Sequence, residues 1–223
     1  MSNGLLSAVE INPVGQIKSS IIWLHGLGAS GHDFEAIVPE LNIPESLGLR
    51  FVFPHAPERP VTINGGLVMP AWYDITSTAF VQQEDETGIC ASAQLLNDLI
   101  AHEIKLGVPE TKIILAGFSQ GGAIVLHAGL RYQGKLAGIL ALSTYLPLRE
   151  KLQSEHTSAS LSVPVMIMHG SEDTVVPIML AEQSCKQIES LDYQVAWHSY
   201  AMPHSVCSEQ IRDISDWIQK VLQ

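Results

Sequence analysis

Apolar residues in this chain come in short unbroken runs. Ser19–Leu24 (SSIIWL), Leu49–Phe53, Ile113–Ala116, Leu136–Ser143 (LAGILALS) and Val163–His169 (VPVMIMH) are each four to eight residues long. A run of that length without polar alternation predicts a strand covered on both faces. Ala8–Asn12 and Tyr193–Tyr200 read as a first and a last strand. Between these runs the period lengthens. Ile89, Ala93, Leu96, Leu99, Ile100 and Ile104 share one helical face, which Gly107-Val108-Pro109 closes. Ile211, Ile214, Ile218 and Leu222 give Cys207–Leu222 the same spacing. Pro177–Leu191 reads as a helix, and Asp33–Leu41 as a short one with Asp33 at its cap. Arg149–Ser162 is polar and Ser-rich and predicts a surface connection. Gln82–Glu86 reads as a solvated acidic cap. Strand and helix alternate almost throughout, which predicts an α/β fold with a mainly parallel central sheet and helices on both faces. No repeat or boundary divides the chain, so residues 1–223 are expected to form one domain.

One stretch breaks the pattern. Glu58–Val81 is long and without period, and it holds Leu67, Val68, Met69, Trp72 and Tyr73 among glycines and a proline. Such connections are usually functional. Met69 and Trp72 are expected to line an acyl pocket; the competing reading has Trp72 and its neighbours filling the core.

The chemistry centres on Lys112–Gly129, KIILAGFSQGGAIVLHAG. A short strand runs into Gly117-Phe118-Ser119-Gln120-Gly121 and then a helix of small residues. Gly-x-Ser-x-Gly on a strand-to-helix turn lifts the serine Oγ above the sheet edge, and the helix N-terminus favours an anion beside it. A merely tight βα turn would look the same in five residues, so the partners matter. A serine hydroxyl needs a base within hydrogen-bond reach, and the base needs an orienting carboxylate. In this arrangement they follow in the order Ser, acid, His, at the carboxyl ends of strands. His204 lies just past the last strand, whereas His198 falls inside it. Among the acids between Ser119 and His204, only Glu172 and Asp173 occupy a strand exit. Asp173 is the first choice and Glu172 the alternative. Acyl transfer also needs two N–H donors for the oxyanion: one from the residue after the nucleophile and one from an early strand-helix loop. Here these are the backbone N–H groups of Gln120 and of Leu27, in the loop His25–Gly31.

Composition narrows the field. Twelve Lys and Arg against 23 Asp and Glu give a net charge of −11, which argues against nucleic acid and anionic lipid as partners. Hydrophobic residues make up 46 %, enough for a full core without disulfides or metals. Three separated cysteines, Cys90, Cys185 and Cys207, fit a reducing compartment. The start of the chain shows no basic segment followed by an apolar one, and no run reaches membrane-spanning length. The cytoplasm is the expected location. The nine histidines show no HxxxH or HxH spacing, which weakens a metal-dependent reading.

Five ordered segments carry a resemblance: HGLGASGHDF (25–34), MPAWYDI (69–75), GFSQGGA (117–123), HGSEDTVVP (169–177) and MPHSVC (202–207). Together they resemble the phospholipase/carboxylesterase group of α/β-hydrolases, which includes acyl-protein thioesterases and small bacterial carboxylesterases. The resemblance covers nearly the whole chain. It implies the small form of the α/β-hydrolase fold, without a large separate lid domain. It also implies Ser119 as nucleophile, His204 as base, Asp173 rather than Glu172 as acid, and Leu27 and Gln120 as oxyanion donors. No metal or organic cofactor is implied, and monomer and homodimer both fit. Pro203 departs from the glycine that members often carry before the histidine. The expected activity is hydrolysis of carboxylic esters through an acyl-enzyme, with a small-molecule ester or acyl thioester as substrate. An acyl-protein thioesterase or lysophospholipase acting on long chains is the alternative, and a non-catalytic binding scaffold is the reading from another class.

Overall fold

A computed structural model describes residues 4–77 and 84–223. Seven strands form one sheet: β1 (Ala8–Ile11), β2 (Ser19–Leu24), β3 (Leu49–Pro54), β6 (Ile113–Phe118), β7 (Gly138–Leu142), β8 (Val165–Gly170) and β9 (Val195–Tyr200). Their order across it is β1-β3-β2-β6-β7-β8-β9. All neighbours are parallel except β1 and β3.

The unbroken apolar runs have the expected cause, since alternate residues feed two cores. Ile22 and Leu24 of β2, Leu115 of β6, Ile139 of β7 and Ile167 of β8 face one core, shared with α2 (Glu86–Lys105), α3 (Gln120–Gly129) and α5 (Ile178–Glu189). Ile21, Trp23, Ile114, Leu140 and Met168 face the other, which α1 (Ile37–Glu40) and α6 (Ser208–Leu222) cover. Asp85 caps α2 by accepting the Gly88 N–H at 2.9 Å. Among the described residues no helix is long and apolar enough to cross a membrane.

The chain leaves β2 toward β3 on one side, then returns across β2 to β6 and continues to β9. The exits of β2 and β6 therefore flank the switch point, where open α/β sheets place their ligands.

Four expectations change. The stretch 58–77 is not without order. It contains a hairpin of β4 (Glu58–Val61) and β5 (Leu67–Pro70), set apart from the main sheet. The rest of the long connection, 78–81, lies outside the described residues, as do 82 and 83 of the acidic segment. Glu84 in that segment is not a solvated acid: both its oxygens accept the Leu148 N–H, at 3.0 and 3.1 Å, and burial raises its pKa. Asp33 caps no helix; α1 is four residues long with Ala36 at its start, because Gly31 is pressed against the Phe53 carbonyl and the chain turns through 31–36. The polar connection 149–162 contains a helix, α4 (Arg149–Glu155), whose one buried residue, Leu152, gives the sequence no period to read.

Candidate active site

Ser119 stands between β6 and α3 with φ 54° and ψ −119°, a conformation that costs a residue with a Cβ on the order of 1–3 kcal/mol. Its neighbours hold it there. The Ser119 N–H donates to Leu142 O at 2.8 Å, and its own carbonyl accepts from Thr144 Oγ1 at 2.7 Å and from the Ala123 N–H at 3.1 Å. The glycines make the approach possible. A Cβ on Gly117 would lie 2.5 Å from the Gly121 carbonyl, and one on Gly121 would run into the carbonyl oxygens of Leu24 and His25.

Two strand exits converge on Ser119 from the β8–β9 side. Ser119 Oγ–H donates to His204 Nε2 at 2.9 Å, and His204 Nδ1–H donates to Asp173 Oδ2 at 2.6 Å. Asp173 Oδ1 accepts the N–H groups of Val175 and Val176, both at 2.8 Å. The carboxyl side chain is fully buried and the imidazole is 16 % exposed. The bond lengths fit a charge-assisted pair, which holds the ring in the tautomer that leaves Nε2 free to accept. The Phe118 ring lies 4.7 Å from the imidazole centre and closes it in from the sheet side. Gly170 seats the loop, because any Cβ there would strike the carbonyls of Met202 and Pro203. Pro203 fits that seat; its carbonyl accepts the Ser205 N–H at 2.8 Å. Glu172 is exposed, and His198 is an exposed residue on the edge strand beside Asp213.

On the opposite side runs the loop 25–31. A Cβ on Gly26 would be 3.5 Å from Ser119 Cβ, so this backbone passes directly against Ser119. The N–H groups of Leu27 and Gln120 donate to nothing among the described residues, while the next one, Gly28 N–H, is taken by Pro70 O at 2.8 Å. The arrangement offers a hydroxyl bonded to an imidazole, a buried carboxylate behind it, and two free backbone donors beside it. It can carry a nucleophilic attack on an acyl carbon and receive the resulting oxyanion.

The family model described as Phospholipase/Carboxylesterase matches residues 7–222. The chain belongs to the phospholipase/carboxylesterase family. This family member is a hydrolase with an α/β-hydrolase sheet. It is 37 % identical to acyl-protein thioesterase 1 of Schizosaccharomyces pombe, over 97 % of each chain. It is 35 % identical to the protein of that name from Gibberella zeae, over 100 % of this chain and 98 % of the other. The crystal structure of Arabidopsis thaliana SOBER1 superposes with a TM-score of 0.87 at 28 % identity, covering 92 % of this chain and 100 % of that one.

The two pocket residues expected from the sequence of this phospholipase/carboxylesterase have different surroundings. Met69 is half-buried at the edge of the loop 25–31, its sulfur 3.5 Å from where a Gly28 Cβ would stand. Trp72 is 1 % exposed. Its Nε1–H donates to His25 O at 2.9 Å and its backbone N–H to Gln120 Oε1 at 2.8 Å, so it packs beneath the site and shows a ligand almost no surface. Two buried histidines at strand exits were given no role from the sequence. His25 is buried, donates from Nδ1 to Gly26 O at 2.7 Å and accepts the Ala56 N–H at Nε2 at 3.1 Å. Burial lowers its pKa and keeps it neutral. His169 is also buried and lowered in pKa by burial. Its Nε2–H donates to Val176 O at 2.8 Å and lies 3.3 Å from Asp173 Oδ2, which braces the acid's loop. The signal for both was present: His25 follows an apolar run and His169 closes one, each directly before a glycine at a strand exit.

Proposed function

We propose that this protein is a serine hydrolase of acyl thioesters, with Ser119 as nucleophile, His204 as general base and acid, and Asp173 as the orienting carboxylate. The observation that carries it is the unbroken bond line from Ser119 Oγ through His204 to Asp173, at 2.9 and 2.6 Å. Carboxylic esters are the first substrate class the motifs suggest. The thioester reading gains weight because relatives matching nearly the whole chain at 35–37 % identity are named acyl-protein thioesterase 1.

In the reaction, Ser119 Oγ attacks the acyl carbon while its proton passes to His204 Nε2. The carbonyl π pair moves onto oxygen, which the N–H groups of Leu27 and Gln120 bind. Collapse reforms the carbonyl and breaks the bond to sulfur, and His204 gives its proton to the departing thiol. Water then loses a proton to His204 and attacks the acyl-Ser119 ester. The second collapse releases the carboxylic acid and returns the proton to Oγ. Met69 and the exposed hairpin residues Leu67 and Val68 form the rim against which the acyl chain lies.

The test is hydrolysis of matched S-acyl peptides and p-nitrophenyl esters from acetyl to palmitoyl, with Ser119→Ala as control. Higher kcat/KM for the thioester at the preferred chain length, abolished in the variant, supports the reading. Esters preferred at every length would return it to a carboxylesterase. Full activity in Ser119→Ala would sink the nucleophile.

A further inference from the structure

The oxyanion site assigned above draws its two donors from segments far apart in sequence, the β2 exit and the start of α3. Two N–H groups serve one oxyanion only when their separation and direction are fixed to a fraction of an ångström. The segments carrying them are both bonded to a third, the turn at residues 70–73. Pro70 O accepts the Gly28 N–H at 2.8 Å, and His25 O accepts the Trp72 indole N–H at 2.9 Å, so the turn grips the loop on both sides of Leu27. The Gln120 side chain grips the same turn twice. Its Oε1 accepts the Trp72 N–H at 2.8 Å, and its Nε2 donates to Tyr73 O at 2.7 Å. The turn is itself anchored. Ala71 N–H donates to Pro57 O at 3.0 Å, and Ser92 Oγ donates to Trp72 O. Ala71, Trp72 and Gln120 are 0, 1 and 3 % exposed, so water does not compete for these bonds.

We propose that the 70–73 turn is a template that sets the placement of the two oxyanion donors, with the side chains of Trp72 and Gln120 as positioning residues. This rests on the proposed function and adds to it a role for side chains that touch no substrate. A tryptophan that only filled space would need no particular partner for its indole N–H. Here its backbone N–H, its carbonyl and its indole N–H are all committed, and two of the three reach the donor-bearing segments.

Two substitutions separate position from bulk. Trp72→Phe keeps an aromatic ring and removes the bond to His25 O. Gln120→Met keeps the side-chain length and the backbone donor and removes both bonds to the turn. Ser160→Ala, which deletes a buried hydroxyl bonded to Leu130 O and Tyr193 OH at the opposite end of the strands, serves as a destabilised control. For each, kcat and KM are measured on active-site-titrated enzyme with an ester the wild type cleaves. The Ki of an alkyl boronic acid, whose tetrahedral adduct on Ser119 places an oxygen where the oxyanion forms, is measured alongside. The template predicts that kcat falls about tenfold to a hundredfold in both variants, with KM within about twofold. The boronate Ki should rise by a matching factor, and Ser160→Ala should lose melting temperature but keep kcat and Ki. Values of kcat and Ki within about twofold of wild type in Trp72→Phe and Gln120→Met would overturn the template. So would an equal kcat loss in Ser160→Ala. Boronate that fails to inhibit the wild type, or activity retained in Ser119→Ala, would instead overturn the proposed function on which the template stands.

Discussion

Ser119 has two neighbourhoods built by different means. On one side, Asp173 and His204 each follow a strand of the main sheet, and the sheet delivers them. β8 and β9 are parallel neighbours in register from Val165 and Val195 to Gly170 and Tyr200, so their exits reach the same height above the same edge. On the other side, the hairpin β4–β5 belongs to no part of that sheet. It is held by single bonds to side chains and turns: Asp74 accepts the Thr62 N–H and hydroxyl at 2.7 and 2.6 Å, and Pro70 O accepts from Gly28. The sheet side should tolerate changes around its residues but none of the residues themselves. The hairpin side should respond in proportion to whichever bond or contact is removed.

The largest expected effect lies on the sheet side. Asp173→Asn keeps the volume and removes the charge, and should lower kcat by about 10³–10⁴ with little change in melting temperature. A loss under about tenfold would mean that another group orients His204. Next comes Gly170→Ala. The added methyl strikes the Met202 and Pro203 carbonyls, so the His204 loop must shift; kcat should fall at least about tenfold and stability by about 1–3 kcal/mol. Unchanged kcat would show that the loop gives way without moving the imidazole.

A third expectation concerns acid. His127 in α3 is buried, and desolvation lowers its pKa from 6.5 to about 3. Below pH 6.5 the unfolded chain binds a proton there that the folded chain refuses. Stability contributed by the neutral ring is therefore present above pH 6.5 and is lost toward pH 3, at up to about 1.4 kcal/mol per pH unit. His25 and His169, lowered by burial as well, act in the same direction. Denaturant unfolding of His127→Gln should show a flatter fall between pH 6 and about 4; parallel curves would contradict this. The smallest effect belongs to the hairpin. Leu67 and Val68 are 63 and 58 % exposed, so serine at both should move the melting temperature by no more than about 2 °C. KM for long acyl chains should rise several-fold and that for acetyl esters should not. Equal shifts at all lengths would remove the hairpin from the acyl rim.

The same contrast explains what could be read from sequence. A parallel strand buried on both faces must be apolar throughout, so the runs Ile113–Ala116 and Val163–His169 announced themselves, and position at their exits narrowed the acid to Glu172 or Asp173, between which the resemblance chose. The hairpin buries only Val61 fully, too little to create a period. Pro60 sits within it, and neighbours Leu67 and Val68 are both exposed. Trp72 was ambiguous for a related reason. An apolar ring with one polar atom suits a pocket wall or a buried strut, and only the partner of its indole N–H, some 47 residues away, separates the two. The α1 segment misled because Asp33 before an apolar stretch is a fair cap signal. The close approach of Gly31 to Phe53 O is a tertiary constraint that overrides it.

The strand order carries a further consequence for synthesis. β2 is central, with β3 on one edge and β6 on the other. The first neighbour begins about 25 residues later, after α1. The second begins about 90 residues later, roughly 5–20 s of elongation. Through that interval the nascent chain holds Ile21, Ile22 and Trp23 on a strand with an open edge, a template for pairing with the wrong neighbour. That open edge lasts until the N-terminal half of the chain has been made, and the arrival of β6 closes it as it brings Ser119 out.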